Sequence, residues 1–133
     1  IGIKNKNFIE FGCGGEELEN NTLFLVKSGW KGLWMDLDPK RVVFLRNIFN
    51  KPFKSGRLKI EAENITSKNI NNILKKYNFI GEIDVLSIDV DSNDYWIWKS
   101  IDINIINPRL VILEYNAKYK PPMEWIRKIK EKC

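Results

Sequence analysis

The sequence predicts an α/β domain, a three-layer αβα sandwich around a mostly parallel sheet, and three observations carry that prediction. Short apolar stretches alternate five times with amphipathic ones along the 133 residues, the order that builds parallel βαβ units. Stretches such as IDVLSID and LVILE are apolar on both faces, as a sheet covered on both sides requires. Acids then follow the apolar runs at Glu10, at Asp36 and Asp38, at Asp89 and Asp91, and at Glu114. In an open α/β sheet the ligand sits outside the carboxyl ends of the strands, so these acids should line one rim.

The elements follow in order. The first strand is expected from Asn7 to Phe11, then a glycine turn, then a helix from Glu17 to Ser28 stopped by Gly29. The second strand runs from Gly32 to Leu37. Asp38 caps the next helix and Pro39 occupies its first turn, carrying it to Phe49. A third strand, Leu58 to Ala62, leads to a helix from Ser67 to Tyr77, capped by Thr66 or Ser67 and stopped by Gly81. The fourth pair is a strand from Ile83 to Asp89 and a helix from Asn93 to Ile101. The fifth is a strand from Arg109 to Glu114 and a helix from Pro122 to Lys132. Right-handed crossovers place the helices on both faces.

A chain of this length is read as one domain, residues 1–133. It begins at Ile1 rather than Met, so a piece of a longer chain is expected. No apolar stretch reaches the ~18 residues that span a bilayer, and no membrane association is expected. With no histidine, the commonest general base and zinc ligand are missing. Acid–base chemistry falls to Asp, Glu, Lys, Tyr or Cys. Cys13 and Cys133 lie at opposite ends of the sequence, which argues against a structural disulfide and for a cytoplasmic protein. The net charge of +5 is spread along the chain, with a cluster in KYKPPMEWIRKIKEKC. This reads as a solvated helix face rather than a nucleic-acid surface. Nothing in the sequence sets the oligomeric state.

The first loop, FGCGGEE, narrows the ligand. A dinucleotide fingerprint needs G-x-G-x-x-G so that a pyrophosphate can meet the helix N-terminus. Gly12 and Gly14 fit, but the third position is Glu17, beside Glu16. Carboxylates there repel phosphate and favour a phosphate-free ligand with positive charge. S-adenosylmethionine has a sulfonium, an ammonium and an adenosine. Asp36, 22 residues beyond Gly14, stands where an acid accepts from both ribose hydroxyls. A nicotinamide enzyme is disfavoured for the same reasons. Cys13 reads as a small filler in the turn, since no histidine can activate it. Trp30 and Trp34 read as packing around the second strand, and Trp98 and Ile101 as core, with Tyr95 nearest the rim.

FIEFGCGG, NNTLFLVKSGWKGLWMDLDP, NIT followed by NIN, IDVLSIDVDSNDYWIWKSI and PRLVILEYNA together resemble the FkbM-like group of class I S-adenosylmethionine-dependent methyltransferases. The resemblance spans about residues 7–117 and is most specific in LSIDVDSNDYW with PRLVILEYN. It implies a Rossmann-like class I fold and cofactor contacts from Glu10, Gly12, Gly14, Thr22 beside Asn21, Asp36, Ala62, Glu63 and Asp89. Gly15-Glu16 and Asp91-Ser92-Asn93-Asp94 depart from the group's usual loops. The class I fold also carries two further strands, expected to lie outside this chain.

Methyl transfer needs the nucleophile, methyl and sulfur in line, and a group to take the acceptor's proton. Asp89, Asp91 and Glu114 are the candidate bases. The same acids with Asn116 could instead hold a divalent cation such as Mg²⁺, or be satisfied by backbone amides and helix caps. The expected activity is O-methylation of a sugar or other small-molecule acceptor. The alternative is a catalytically silent module that keeps the cofactor fold.

Overall fold

The computed structural model describes residues 2–14, 18, 20–90 and 93–113. Five strands, β1 (Asn7–Phe11), β2 (Lys31–Asp36), β3 (Leu58–Ala62), β4 (Gly81–Ile88) and β5 (Ile106–Leu113), form one sheet in the order β3-β2-β1-β4-β5. Every neighbouring pair is parallel. The helices are α1 (Leu23–Lys27), α2 (Pro39–Ile48), α3 (Asn50–Lys54), α4 (Ile70–Lys76) and α5 (Asp94–Ser100). The α/β class is therefore as expected, and the arrangement is compatible with a Rossmann-like fold. Strand order reverses beside β1, which pairs with β2 on one side and β4 on the other.

Alternation along β1 and β2 sorts the core into two layers. Ile9, Phe11, Leu33 and Met35 pack with α4 and α5 residues such as Ile73, Leu74 and Ile97. Phe8 and Trp34 pack on the other face with Val26, Val42 and Leu45. Gly32 stands opposite Phe8 in the β1–β2 register. A Cβ there would fall 2.0 Å from Phe8 Cζ, so this strand glycine makes room for a fully buried ring.

Several boundaries differ from expectation, for local reasons. The first helix starts at Leu23, not Glu17, because the Glu10 carboxylate takes the backbone N–H groups of Asn21 and Thr22. Leu18, within the expected helix, has φ +51°. Before α4, Thr66 N–H donates to Asn69 Oδ1 and Asn69 N–H returns a bond to Thr66 Oγ1. That closed turn delays the helix to Ile70. Its stop is Asn78, not Gly81. Asn78 has φ +57°, and Phe79 N–H reaches back to the Leu74 carbonyl over 3.0 Å, a Schellman arrangement. Gly81 instead opens β4. β5 begins at Ile106, earlier than Arg109, because it is an edge strand among the described residues and tolerates Pro108. The short α3 was not anticipated. The expected helix from Pro122 to Lys132 lies outside the described residues.

At the opposite end of the sheet from the acid rim, Asp84 is buried and accepts from the backbone N–H groups of Lys4, Asn5 and Lys6 at 3.0, 2.8 and 3.0 Å. Burial opposes its charge, but these amides and the Asn5 side chain outweigh it and hold the carboxyl at about 2. A lowered folded pKa stabilises above the unfolded value of 3.8, and this contribution is lost as pH falls toward 2. Asp84→Asn is expected to cost about 2 kcal/mol at pH 7. In urea titrations the gap from the parent protein should narrow between pH 4 and pH 2.

Candidate functional site

Where strand order reverses, the loops after β1, β2, β3 and β4 enclose a cleft of about 480 Å³. Gly12, Gly14, Asp36, Asp38, Glu63 and Asp89 line it, with Arg41, Asn64, Ile65, Val90 and Asn93. The volume is within the ordinary range for a small-molecule site, ~300–1,000 Å³.

The glycine turn is shaped by its contacts. Gly12 and Gly14 have φ +76° and +72°, which glycine adopts without the Cβ penalty. Gly12 N–H donates to the Met35 carbonyl at 2.8 Å, and Asp89 N–H donates to the Phe11 carbonyl at 3.0 Å. The turn thus ties the ends of β1, β2 and β4 together. Among the described residues, Gly14 has open space where a Cβ would stand.

Asp36 ends β2 and is only 5% exposed. Its Oδ2 accepts from Gly14 N–H at 3.2 Å and its Oδ1 from Asp38 N–H at 2.9 Å. One carboxylate therefore joins the glycine turn to the start of α2, where Asp38 caps the helix through Lys40 N–H. Arg41 lies 3.8 Å from both Asp36 and Asp38. Sequence reading did not place Arg41 in the site, although its i,i+3 spacing from Asp38 was a signal.

Glu63 follows β3, and its N–H donates to the Asp36 carbonyl. Its Oε1 accepts from Lys76 Nζ at 2.7 Å and from the Tyr77 hydroxyl at 2.5 Å. Partial burial opposes its charge, yet those two donors and the Lys76 charge hold its carboxyl below the ordinary range. Ala62 is exposed at the end of β3, outside the cleft lining.

Glu10 and Thr22 stand behind the turn rather than in the cleft. Glu10 is 1% exposed. It accepts from Asn21 N–H, Thr22 N–H and Thr22 Oγ1 at 3.1, 2.9 and 2.7 Å. Trp34 Nε1 donates to Thr22 Oγ1 at 2.8 Å. This chain fixes the segment that leads from the turn into α1. Burial pushes the Glu10 carboxyl up to about 7 against its three donors, and the Asp89 charge adds to the rise. Below 4.5, the value for an unperturbed glutamate, a group raised in the folded state costs nothing. Stability then falls as pH climbs from 4.5 toward 7. Up to about 3 kcal/mol is at stake. Glu10→Gln, which cannot titrate, is expected to flatten that slope in denaturant midpoints measured between pH 5 and pH 8.

Asp89 is exposed and lines the cleft. Asp91 and Glu114, the other candidate bases, lie outside the described residues, as do Glu16, Glu17 and Asn116. Among the described residues no three metal-binding side chains cluster. Cys13 is buried, and burial pushes its thiol up, away from the reactive thiolate. Trp34 is fully buried and Trp30 nearly so. Trp98 and Ile101 pack partly buried against the core, and Tyr95 is exposed.

No helix among the described residues is long and apolar enough to cross a membrane. Comparison with protein-family models and with curated proteins finds no match to this chain.

Proposed function

We propose that this chain is an S-adenosylmethionine-dependent methyltransferase domain that acts on a hydroxyl of a sugar or another small acceptor. The observation that carries the reading is the charge of the cleft. Four carboxylates, Asp36, Asp38, Glu63 and Asp89, line it with one guanidinium, Arg41, and even with Lys76 paired to Glu63 from outside the lining the acids are in excess. Such a lining disfavours a pyrophosphate and suits a cationic ligand without phosphates. The resemblance to the FkbM-like group adds support.

The residues present fit the cofactor. Gly12 makes room for the Asp89 carbonyl, and left-handed Gly14 leaves the space of a side chain open among the described residues, where a ligand can approach the backbone closely. Asp36 is anchored through two backbone amides, so its remaining lone pairs are preorganised for the ribose hydroxyls. Glu63 and Ile65 line the β3 side of the cleft, where the adenine would lie.

When bound, the cofactor supplies an electrophilic methyl group whose C–S bond breaks as the new C–O bond forms. Asp89, which follows β4 and lines the cleft, is the described acid that could accept the proton released by the acceptor hydroxyl. Ultraviolet cross-linking with methyl-tritiated S-adenosylmethionine tests the reading. Labelling that S-adenosylhomocysteine suppresses and NADH leaves intact is expected. Labelling suppressed equally by both would contradict it.

A further inference from the structure

The cleft acid Glu63 is held by two residues from an element that does not line the cleft. Lys76 ends α4 and Tyr77 is its C-terminal cap. Both donate to the same oxygen, Oε1 of Glu63. Oε2 has no hydrogen-bond partner among the described residues. Tyr77 is itself fixed, because Lys59 Nζ, from β3, donates to its carbonyl oxygen. Lys59 Nζ also lies 5.6 Å from the centroid of the Phe79 ring, and Phe79 is buried in the core. The Glu63 backbone is pinned as well, through its N–H to the Asp36 carbonyl.

We propose that Tyr77 and Lys76 are positioning residues that set base selectivity at the cleft: by occupying Oε1 they orient Glu63 to present Oε2 to the exocyclic amine of adenine. This rests on the reading of the cleft as an S-adenosylmethionine site. The chemistry is asymmetric. A carboxylate with one oxygen saturated offers an acceptor and no donor. It favours an amine at the purine 6-position and disfavours a carbonyl there. A carboxylate held by two donors also loses little rotamer freedom when the amine arrives. Its ionised state, favoured by the same donors, strengthens the bond it makes.

The test is a pair of titrations on the full chain, with S-adenosylhomocysteine and with S-inosylhomocysteine, in which a carbonyl replaces the amine. The parent protein is expected to prefer the adenosyl ligand by about 10- to 100-fold, the value of a hydrogen bond to a charged acceptor. Glu63→Ala should bring that ratio near unity. Tyr77→Phe, which deletes only the hydroxyl, should reduce the ratio by about threefold to tenfold. Lys76→Met should reduce it similarly, and Lys76→Arg should restore it. Lys76 is mostly exposed, so its variants keep the test valid even if Tyr77→Phe folds poorly. A purely structural role would lower affinity for both ligands equally and leave the ratio unchanged, which would overturn the proposal. Equal affinity of the parent protein for the two ligands would overturn it too. Failure of the parent protein to bind S-adenosylhomocysteine at all would remove the underlying reading of the cleft, and the positioning role with it.

Discussion

Gly12→Ala is expected to destabilise the fold by about 3 kcal/mol or more and to abolish ligand binding. The added Cβ would stand 1.7 Å from the Asp89 carbonyl oxygen. That atom is backbone, at the end of β4, so no side-chain rotation relieves the clash. The β1 and β4 ends would have to separate, at the expense of the Asp89–Phe11 and Gly12–Met35 hydrogen bonds. Overpacking of this kind costs ~1–3 kcal/mol, and the left-handed φ adds ~1 kcal/mol. Against a domain stability of roughly 5–15 kcal/mol that is a large fraction. Gly14→Ala provides the contrast. Its φ is also left-handed, but nothing among the described residues lies within 4 Å of the new carbon, so a loss of only ~1 kcal/mol is expected. Urea denaturation of the two variants checks the difference. Equal losses would mean that backbone strain, not the approach of β4, requires Gly12.

Asp36→Ala is expected to weaken S-adenosylhomocysteine binding by about 100-fold or more while the protein remains folded. The carboxylate would accept from two ribose hydroxyls, each bond to a charged group being worth ~1.5–3 kcal/mol. The same substitution frees the Gly14 and Asp38 amides. These lie at the edge of an open cleft, where water can replace the carboxylate, so the expected stability cost is only ~1–2 kcal/mol. Calorimetry and circular dichroism on the same sample separate the two effects. Unchanged affinity would show that Asp36 serves only to join the turn to α2.

Much of the fold was legible because its signals are local or periodic. β1 and β3 lie where their apolar runs place them. Asp38 and Pro39 start α2 as a capping aspartate and a first-turn proline should. The departures come from contacts between residues distant in sequence. Glu10 reads as a cofactor acid from its position, yet its oxygens are taken by Asn21 and Thr22. That pairing also shortens α1, and no helix propensity signals it. The link from Tyr77 to Glu63 joins the end of α4 to the loop after β3 across 14 positions, with no periodic pattern to announce it. Gly81 looks like a helix stop because glycine is the usual one, but Asn78 tolerates the left-handed turn and ends α4 first. The position of Asp36 beside the glycine turn, by contrast, was legible from spacing. The parallel sheet brings the residue 22 positions beyond Gly14 back to the glycine turn, and Gly14 N–H donates to it.

Whether the cleft takes S-adenosylmethionine is decided by calorimetric titration of the 133-residue chain with S-adenosylhomocysteine, with NADH as the comparison ligand. The acid-lined cleft predicts micromolar binding of S-adenosylhomocysteine and no detectable heat from NADH. Binding of NADH in preference, or of neither ligand, would contradict it.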